Sequence, residues 1–155
     1  MPIRDRFEDL TVSGNLSLSA TSRIIPQYTP DRIGGIRIVG ADAGGLPTVQ
    51  DAINDLPATG GMVFIPAGTY TSASAITIST SNVVLVGAGR STILEFTGVT
   101  NGITIADAGL VEVVIRDLTI RTSNAGGLNA ISGNAPTLGL SRTVVDNVWI
   151  DATGS

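Results

Sequence analysis

The sequence predicts an all-β fold: a short right-handed parallel β-helix of about three turns, with an N-terminal capping helix and an extended N-terminal arm. Three observations carry that reading. Apolar residues make up 43% of the chain but aromatics only 4%, so Val, Ile, Leu and Ala must build any core, and small branched side chains suit flat layers between stacked strands. One stretch joins a helical pattern to a long series of brief β runs. Apolar triplets then recur at a near-constant spacing, as from Ile76 to Ile103 and from Val84 to Val114 and Val144.

Residues 1–40 form an arm with its own grammar. Leu10-Thr11-Val12-Ser13 and Leu16-Ser17-Leu18-Ser19 alternate apolar and polar around Gly14-Asn15, the pattern of a half-buried hairpin. Residues 21–30 hold two prolines and no period, which reads as an extended connector. Ile36-Arg37-Ile38-Val39 is a further short strand. The arm is too thin to bury a core, so Leu10, Val12, Leu16 and Leu18 are its candidate docking residues.

Residues 41–155 read as the capped β-helix. The helix is expected over residues 47–56: Thr48 as N-cap, Asp51 as an acidic variant of the capping box, and Val49, Ala52, Ile53 and Leu56 on one face. Its role is to plug the open end of the strand stack, where unpaired backbone would invite edge-to-edge association. Gly60-Gly61 turns the chain, the three apolar residues Val63-Phe64-Ile65 read as a fully buried strand, and Pro66 and Gly68 stop it.

The repeats set the expected register. Ile76-Thr77-Ile78 recurs as Ile103-Thr104-Ile105, and Ala130-Ile131-Ser132 lies one equal step further on, with Ile131 fitting the layer loosely. Val84-Leu85-Val86-Gly87 aligns with Val114-Ile115-Arg116-Asp117 and then, by the same interval, with Val144-Val145-Asp146-Asn147. Leu118 falls over Val148 and Ile120 over Ile150, while Leu94-Glu95-Phe96 answers Val63-Phe64-Ile65. A parallel ladder sets like over like, so these offsets place Arg116 beside Asp146 and Arg121 beside Asp151.

Composition also closes off chemistry. The chain has no His and no Cys, which removes Ser-His-Asp and Cys-His nucleophiles, disulfides, and His- or Cys-ligated metals. All nine cations are Arg, scattered along a chain of net charge −4, which argues against a nucleic-acid groove. No apolar run approaches membrane-spanning length, and the charged start Met1-Pro2-Ile3-Arg4-Asp5-Arg6 carries no signal-peptide pattern. No cofactor is implied. Gly87-Ala88-Gly89-Arg90-Ser91 follows a strand but lacks the spacing, the helix and the Lys of a phosphate loop.

Thr48-Val49-Gln50-Asp51-Ala52-Ile53, then Gly60-Gly61-Met62-Val63-Phe64-Ile65-Pro66-Ala67-Gly68-Thr69-Tyr70, then Val84-Leu85-Val86-Gly87-Ala88-Gly89 resemble the opening of the pectate-lyase-like superfamily. The variant most resembled is that of bacteriophage tailspikes and related appendages. Leu10-Thr11-Val12-Ser13-Gly14-Asn15-Leu16-Ser17 is similar to β-rich linkers of phage fibres. The resemblance implies the fold; the superfamily itself spans lyases, hydrolases, epimerases and inert structural proteins.

Enzymes of this kind use acidic residues holding calcium with an Arg base, or two or three carboxylates. The candidates here are Asp117 and Asp146 as an outward carboxylate pair, with Arg116 and Arg121, and with Glu112 and Asp151 nearby. Against them stands a simpler reading, in which Asp117 and Asn147 are turn residues bonding their own backbone. Three turns also give a wall only about 15 Å tall.

Trp149 alternates outward between Val148 and Ile150, and is expected at a subunit interface. The resulting expectation is a non-enzymatic virion protein of a tailed bacteriophage. It would be a homotrimeric module on the particle surface, assembled in the host cytoplasm, with the arm docking it to a capsid or tail protein as a decoration protein or tailspike base. The alternatives are the N-terminal part of a polysaccharide depolymerase, or a small carbohydrate-binding module touching host surface polysaccharide.

Overall fold

In a computed structural model, residues 32–33, 35–40, 46–98, 101–106, 110, 112–122, 129–133 and 142–152 are described. The expected hairpin at Leu10, Val12, Leu16 and Leu18 lies outside them. The elements in order are β1 (Arg32–Ile33), β2 (Ile36–Ile38), α1 (Val49–Asn54), β3 (Gly61–Ile65), β4 (Gly68–Ser72), β5 (Ile76–Ile78), β6 (Val83–Gly87), β7 (Thr92–Phe96), β8 (Ile103–Ile105), β9 (Val113–Thr122), β10 (Ile131–Gly133) and β11 (Thr143–Ala152).

Three parallel faces enclose one core. The front face runs β2-β3-β6 and continues into the first halves of β9 and β11. The second face runs β4-β7 and continues into the second halves of those same strands. The third is β5-β8-β10. Among the described residues, the exception to parallel pairing is β1 with β2. The chain is therefore a β-helix of about three turns.

Stacked apolar columns fill the interior. Val63, Leu85 and Ile115 stand one above another, as do Leu94 over Ile120 and Ile76 over Ile103; all are at most 4% exposed. Each such side chain stabilises the fold by about 1.5–3 kcal/mol relative to exposure. No interior position among these needs an aromatic larger than Phe96, consistent with the branched composition.

The front end is closed by α1. Thr48 Oγ1 accepts the Asp51 N–H at 3.0 Å and donates to Asp51 Oδ2 at 2.6 Å, while Val49, Ala52 and Ile53 join the core. The second element of closure is Gln50. Its side-chain oxygen accepts the Thr77 N–H at 2.7 Å and its NH2 donates to the Thr77 carbonyl at 3.1 Å. Because β5 is the edge of the third face, one side-chain amide stands in for the peptide of a missing strand. Arg37, set over the Val63 column, donates to Asp55 O at 2.7 Å from Nη2 and to Asp55 Oδ2 at 2.6 Å from Nε. That guanidinium answers the carbonyl end of α1.

From β3 onward, entry to the front face turns on a left-handed residue. Gly60 (φ 89°), Asn82 (φ 58°), Glu112 (φ 62°) and Arg142 (φ 121°) immediately precede β3, β6, β9 and β11. A Cβ on Gly60 would collide with the Ser81 and Asn82 carbonyls, so the tightest of these corners admits glycine alone.

The structure corrects the sequence reading at several points. Leu94, Glu95 and Phe96 pair with Tyr70, Thr71 and Ser72, not with Val63-Phe64-Ile65. Thr- and Tyr-rich Gly68–Ser72 is a strand in its own right, since such residues fit a half-buried pleated surface. Ile131, not Ala130, pairs with Ile103. The first turn is shorter than the later ones: Gly61 pairs with Val83 and Gly68 with Thr92, because both corners of that turn are tight. β3 alternates instead of being fully buried, with Met62 and Phe64 half-exposed on the outer face. The helix is shorter than expected, and residues 36–38 of the expected arm already pair with β3.

Gln50→Ala should lower unfolding stability by about 1–3 kcal/mol, since it orphans two edge groups. Gln50→Glu should cost at least as much, because a carboxylate then faces the Thr77 carbonyl. Urea melts followed by circular dichroism would read both; a loss below about 0.3 kcal/mol for each would show that the amide closes nothing.

Candidate functional site

The outer faces of the coil are built by the same ladders that build the core, because side chains alternate along each strand. On the second face two outward columns result: Thr69–Ile93–Thr119–Trp149 and Thr71–Glu95–Arg121–Asp151. Arg121 lies between two acids, with Nε 3.0 Å from Asp151 Oδ2 and Nη1 3.5 Å from Glu95 Oε1. The hydrogen bond to Asp151 holds the guanidinium above its ordinary pKa. Thr71 donates to Glu95 at 3.2 Å and completes the row.

Trp149 faces outward and is half-buried, and it is the sole tryptophan of the chain. The Arg90 guanidinium sits 5.1 Å from the centre of its ring, a cation–π contact. The Arg90 carbonyl accepts from Thr119 Oγ1 at 3.0 Å, which ties its turn to the neighbouring strand. A shallow cavity of about 360 Å³ lies between Arg90, Ile93, Thr119, Arg121, Trp149 and Asp151. It pairs an aromatic surface with a row of fixed hydrogen-bonding groups.

The carboxylate candidates are arranged differently. Asp117 (φ 56°) and Asn147 (φ 51°) are the left-handed corners at which β9 and β11 pass from the front face to the second. Asn147 Nδ2 donates to Asp117 Oδ1 at 2.6 Å, so the two corner side chains bond each other across the turns, not their own backbones. Asp146 registers with Arg116, as the repeats predict. The ion pair Arg116 makes is instead a long one, 3.8 Å, with Asp117. The Asp117 carboxylate thus serves the corner ladder, and Asp146 stands one register position away on the front face. Glu112 is paired with Arg142 at 3.2 Å along the entry corners. Among the described residues no group of three or more Asp or Glu side chains could hold a metal ion.

The other outer surfaces are plainer. The third face shows Thr77, Thr104 and Ser132 in one column. The front face shows Ile36, Met62, Val84, Val114 and Val144 in one unbroken apolar column, with Ile36 and Val144 each 38% exposed. A second cavity, also about 360 Å³, opens beside α1 against β4 and is lined by Thr48, Gln50, Tyr70 and Ser74 among others. Burial raises the Tyr70 phenol there. The Gly87–Ser91 turn uses its N–H groups internally: Ala88 on Ile65 O and Thr92 Oγ1, Gly89 on Asp117 O.

Sequence reasoning singled out Trp149, Arg121 and Asp151 but did not pair Arg90 with Trp149, and did not pick out the outer apolar column. The column is visible in the sequence as the residues flanking each core position, Met62 beside Val63 and Val84 beside Leu85. The Arg90 contact carries no local signal, since Trp149 lies two turns further along the chain.

A family model described as rhamnogalacturonase A/epimerase, pectate lyase-like, matches residues 39–112, from the helix through β8. No curated protein and no solved structure matches the chain.

Asn147→Ala should destabilise by about 1–2 kcal/mol, from the left-handed backbone alone. Asn147→Gly, which keeps that backbone and loses only the bond to Asp117, should cost less. Equal losses in paired chemical melts would mean that the bond, not the backbone, fixes the corner.

Proposed function

We propose, from the premise that this chain carries a pectate-lyase-like parallel β-helix, that it is a structural module without catalysis whose copies pack side by side as a homotrimer. The observation that carries this is the apolar column Ile36–Met62–Val84–Val114–Val144, which runs along the coil on an outer face. Contiguous apolar surface of that kind marks an interaction face, and its direction suits neighbours with parallel axes. The acids are consistent with a structural role: Asp55 meets Arg37, Glu95 and Asp151 meet Arg121, Glu112 meets Arg142, and Asp117 meets Asn147.

The setting we propose is the surface of a tailed bacteriophage particle, with the N-terminal arm binding a capsid or tail protein. It rests on the resemblance of residues 48–89 to tailspike openings and of residues 10–17 to fibre linkers. A second reading is favoured by Trp149 and the Arg121–Asp151 row: that face contacts a polysaccharide, as an aromatic surface beside paired polar groups does.

Sedimentation of the full chain should give a mass divisible by three, and Met62→Glu with Val114→Glu should dissociate it while the β-sheet spectrum persists. A mass not divisible by three would overturn the lateral trimer. Incubation with acidic polysaccharides should give no rise in unsaturated-uronate absorbance or in reducing ends; either signal would overturn the non-catalytic reading. Deleting residues 1–31 should abolish binding to phage particles; retained binding would remove the arm from docking. Quenching or a shift of Trp149 emission on adding host polysaccharide would favour the second reading.

A further inference from the structure

At the front end of the coil the three faces finish differently. The β3 edge carries β2, and the β5 edge is met by the Gln50 amide. The β4 edge carries no strand among the described residues. Parity assigns its hydrogen-bonding groups. The Gly68 N–H donates to the Ser91 carbonyl at 2.8 Å and the Ser72 carbonyl accepts the Thr97 N–H at 3.0 Å, so Gly68, Tyr70 and Ser72 face β7. The N–H and C=O of Thr69 and Thr71 therefore face the front, and both residues are exposed. They border the cavity of about 360 Å³ beside α1, whose lining holds no charged side chain. Tyr70, the inward residue between them, heads the column Tyr70–Leu94–Ile120 and is only partly buried.

We infer that this edge is the docking site of Leu16-Ser17-Leu18-Ser19 of the same chain, added as an extended strand in front of β4. Three features select that occupant. First, the alternation fits. Leucines turned inward continue the Tyr70 column and enter the cavity, while the serines fall beside the outward hydroxyls of Thr69 and Thr71. Second, the charge fits. Residues 10–22 carry no ionisable side chain, and neither a buried cation nor a buried acid is brought to the uncharged site. Third, the reach fits. Residues 20–31 lead to β1 on the adjoining front face. Extended, they span up to about 40 Å, more than twice the roughly 17 Å length of a five-residue strand such as β4. A tether of that length holds the segment near the edge at an effective concentration of about millimolar, above that of any free second copy.

The contact gives Leu16 and Leu18 a surface within their own chain, and it removes an edge that would otherwise pair with other chains. It uses neither the front-face apolar column nor Trp149, and residues 1–15 stay available to a partner. Its failure would therefore leave the lateral trimer and the particle docking untouched.

Amide hydrogen exchange on the full chain tests this. The amides of residues 16–19, and those of Thr69 and Thr71, should exchange at least about tenfold more slowly than unstructured peptide. Thr71→Pro deletes an N–H that the β4–β7 ladder does not use, and should return residues 16–19 to the unstructured rate while β6 and β9 stay protected. Leu16→Asp with Leu18→Asp, placed outside the coil, should conversely deprotect Thr69 and Thr71. Exchange of residues 16–19 at the unstructured rate in the unaltered chain would overturn the proposal. So would protection there that survives Thr71→Pro, or protection of Thr69 and Thr71 that survives the two aspartates, since another segment would then cover β4. Protection lost on dilution would move the segment to a second copy and overturn the assignment to the same chain.

Discussion

The constraint on which this fold depends is that every turn must bend at the same places. Parallel ladders tolerate no drift, because a slip of one residue would send a whole apolar column to the outside. The chain bends at a fixed register position on left-handed residues, at the entries to β3, β6, β9 and β11 and again at Asp117 and Asn147. From Glu112 to Asp117 and from Arg142 to Asn147 the backbone between corners is ordinary strand. The core columns follow from the corners as much as the corners follow from the columns.

An open-ended stack leaves backbone unpaired at its ends, and the chain answers this unequally. One glutamine amide satisfies both exposed groups of Thr77, and one arginine both covers a column and answers the carbonyl end of the helix. Neither residue is unusual in composition. Their position one layer above the first complete turn gives them their role. The outer faces are equally differentiated: an apolar column on the front, a charged row with a tryptophan on the second, hydroxyls on the third.

Much of this was legible in the sequence. The recurrence of Ile76-Thr77-Ile78 at Ile103, and of Val84-Leu85 at Val114 and Val144, set the register as well as the fold, because parallel ladders copy spacing directly into neighbours. Arg121 beside Asp151 followed from the same offsets. What escaped was whatever departs from the copy. Gly68–Ser72 has no apolar triplet, so the first turn looked longer than the steps from Gly61 to Val83 and from Gly68 to Thr92. Glu112 and Arg142 adopt left-handed backbone without the Gly or Asn that would announce it. Asp117 and Asn147 looked like isolated turn residues because a bond between corners a full turn apart leaves no local trace. The Trp149–Arg90 contact escaped for the same reason.

The helical plug precedes β3 and every strand after it, and each of the later strands pairs with the one a single turn before it. Contacts of such uniform, modest separation allow a chain to fold layer upon layer. A nascent polypeptide leaving the ribosome can therefore close its capped first coil while the remainder is still being translated, and each coil then templates the next.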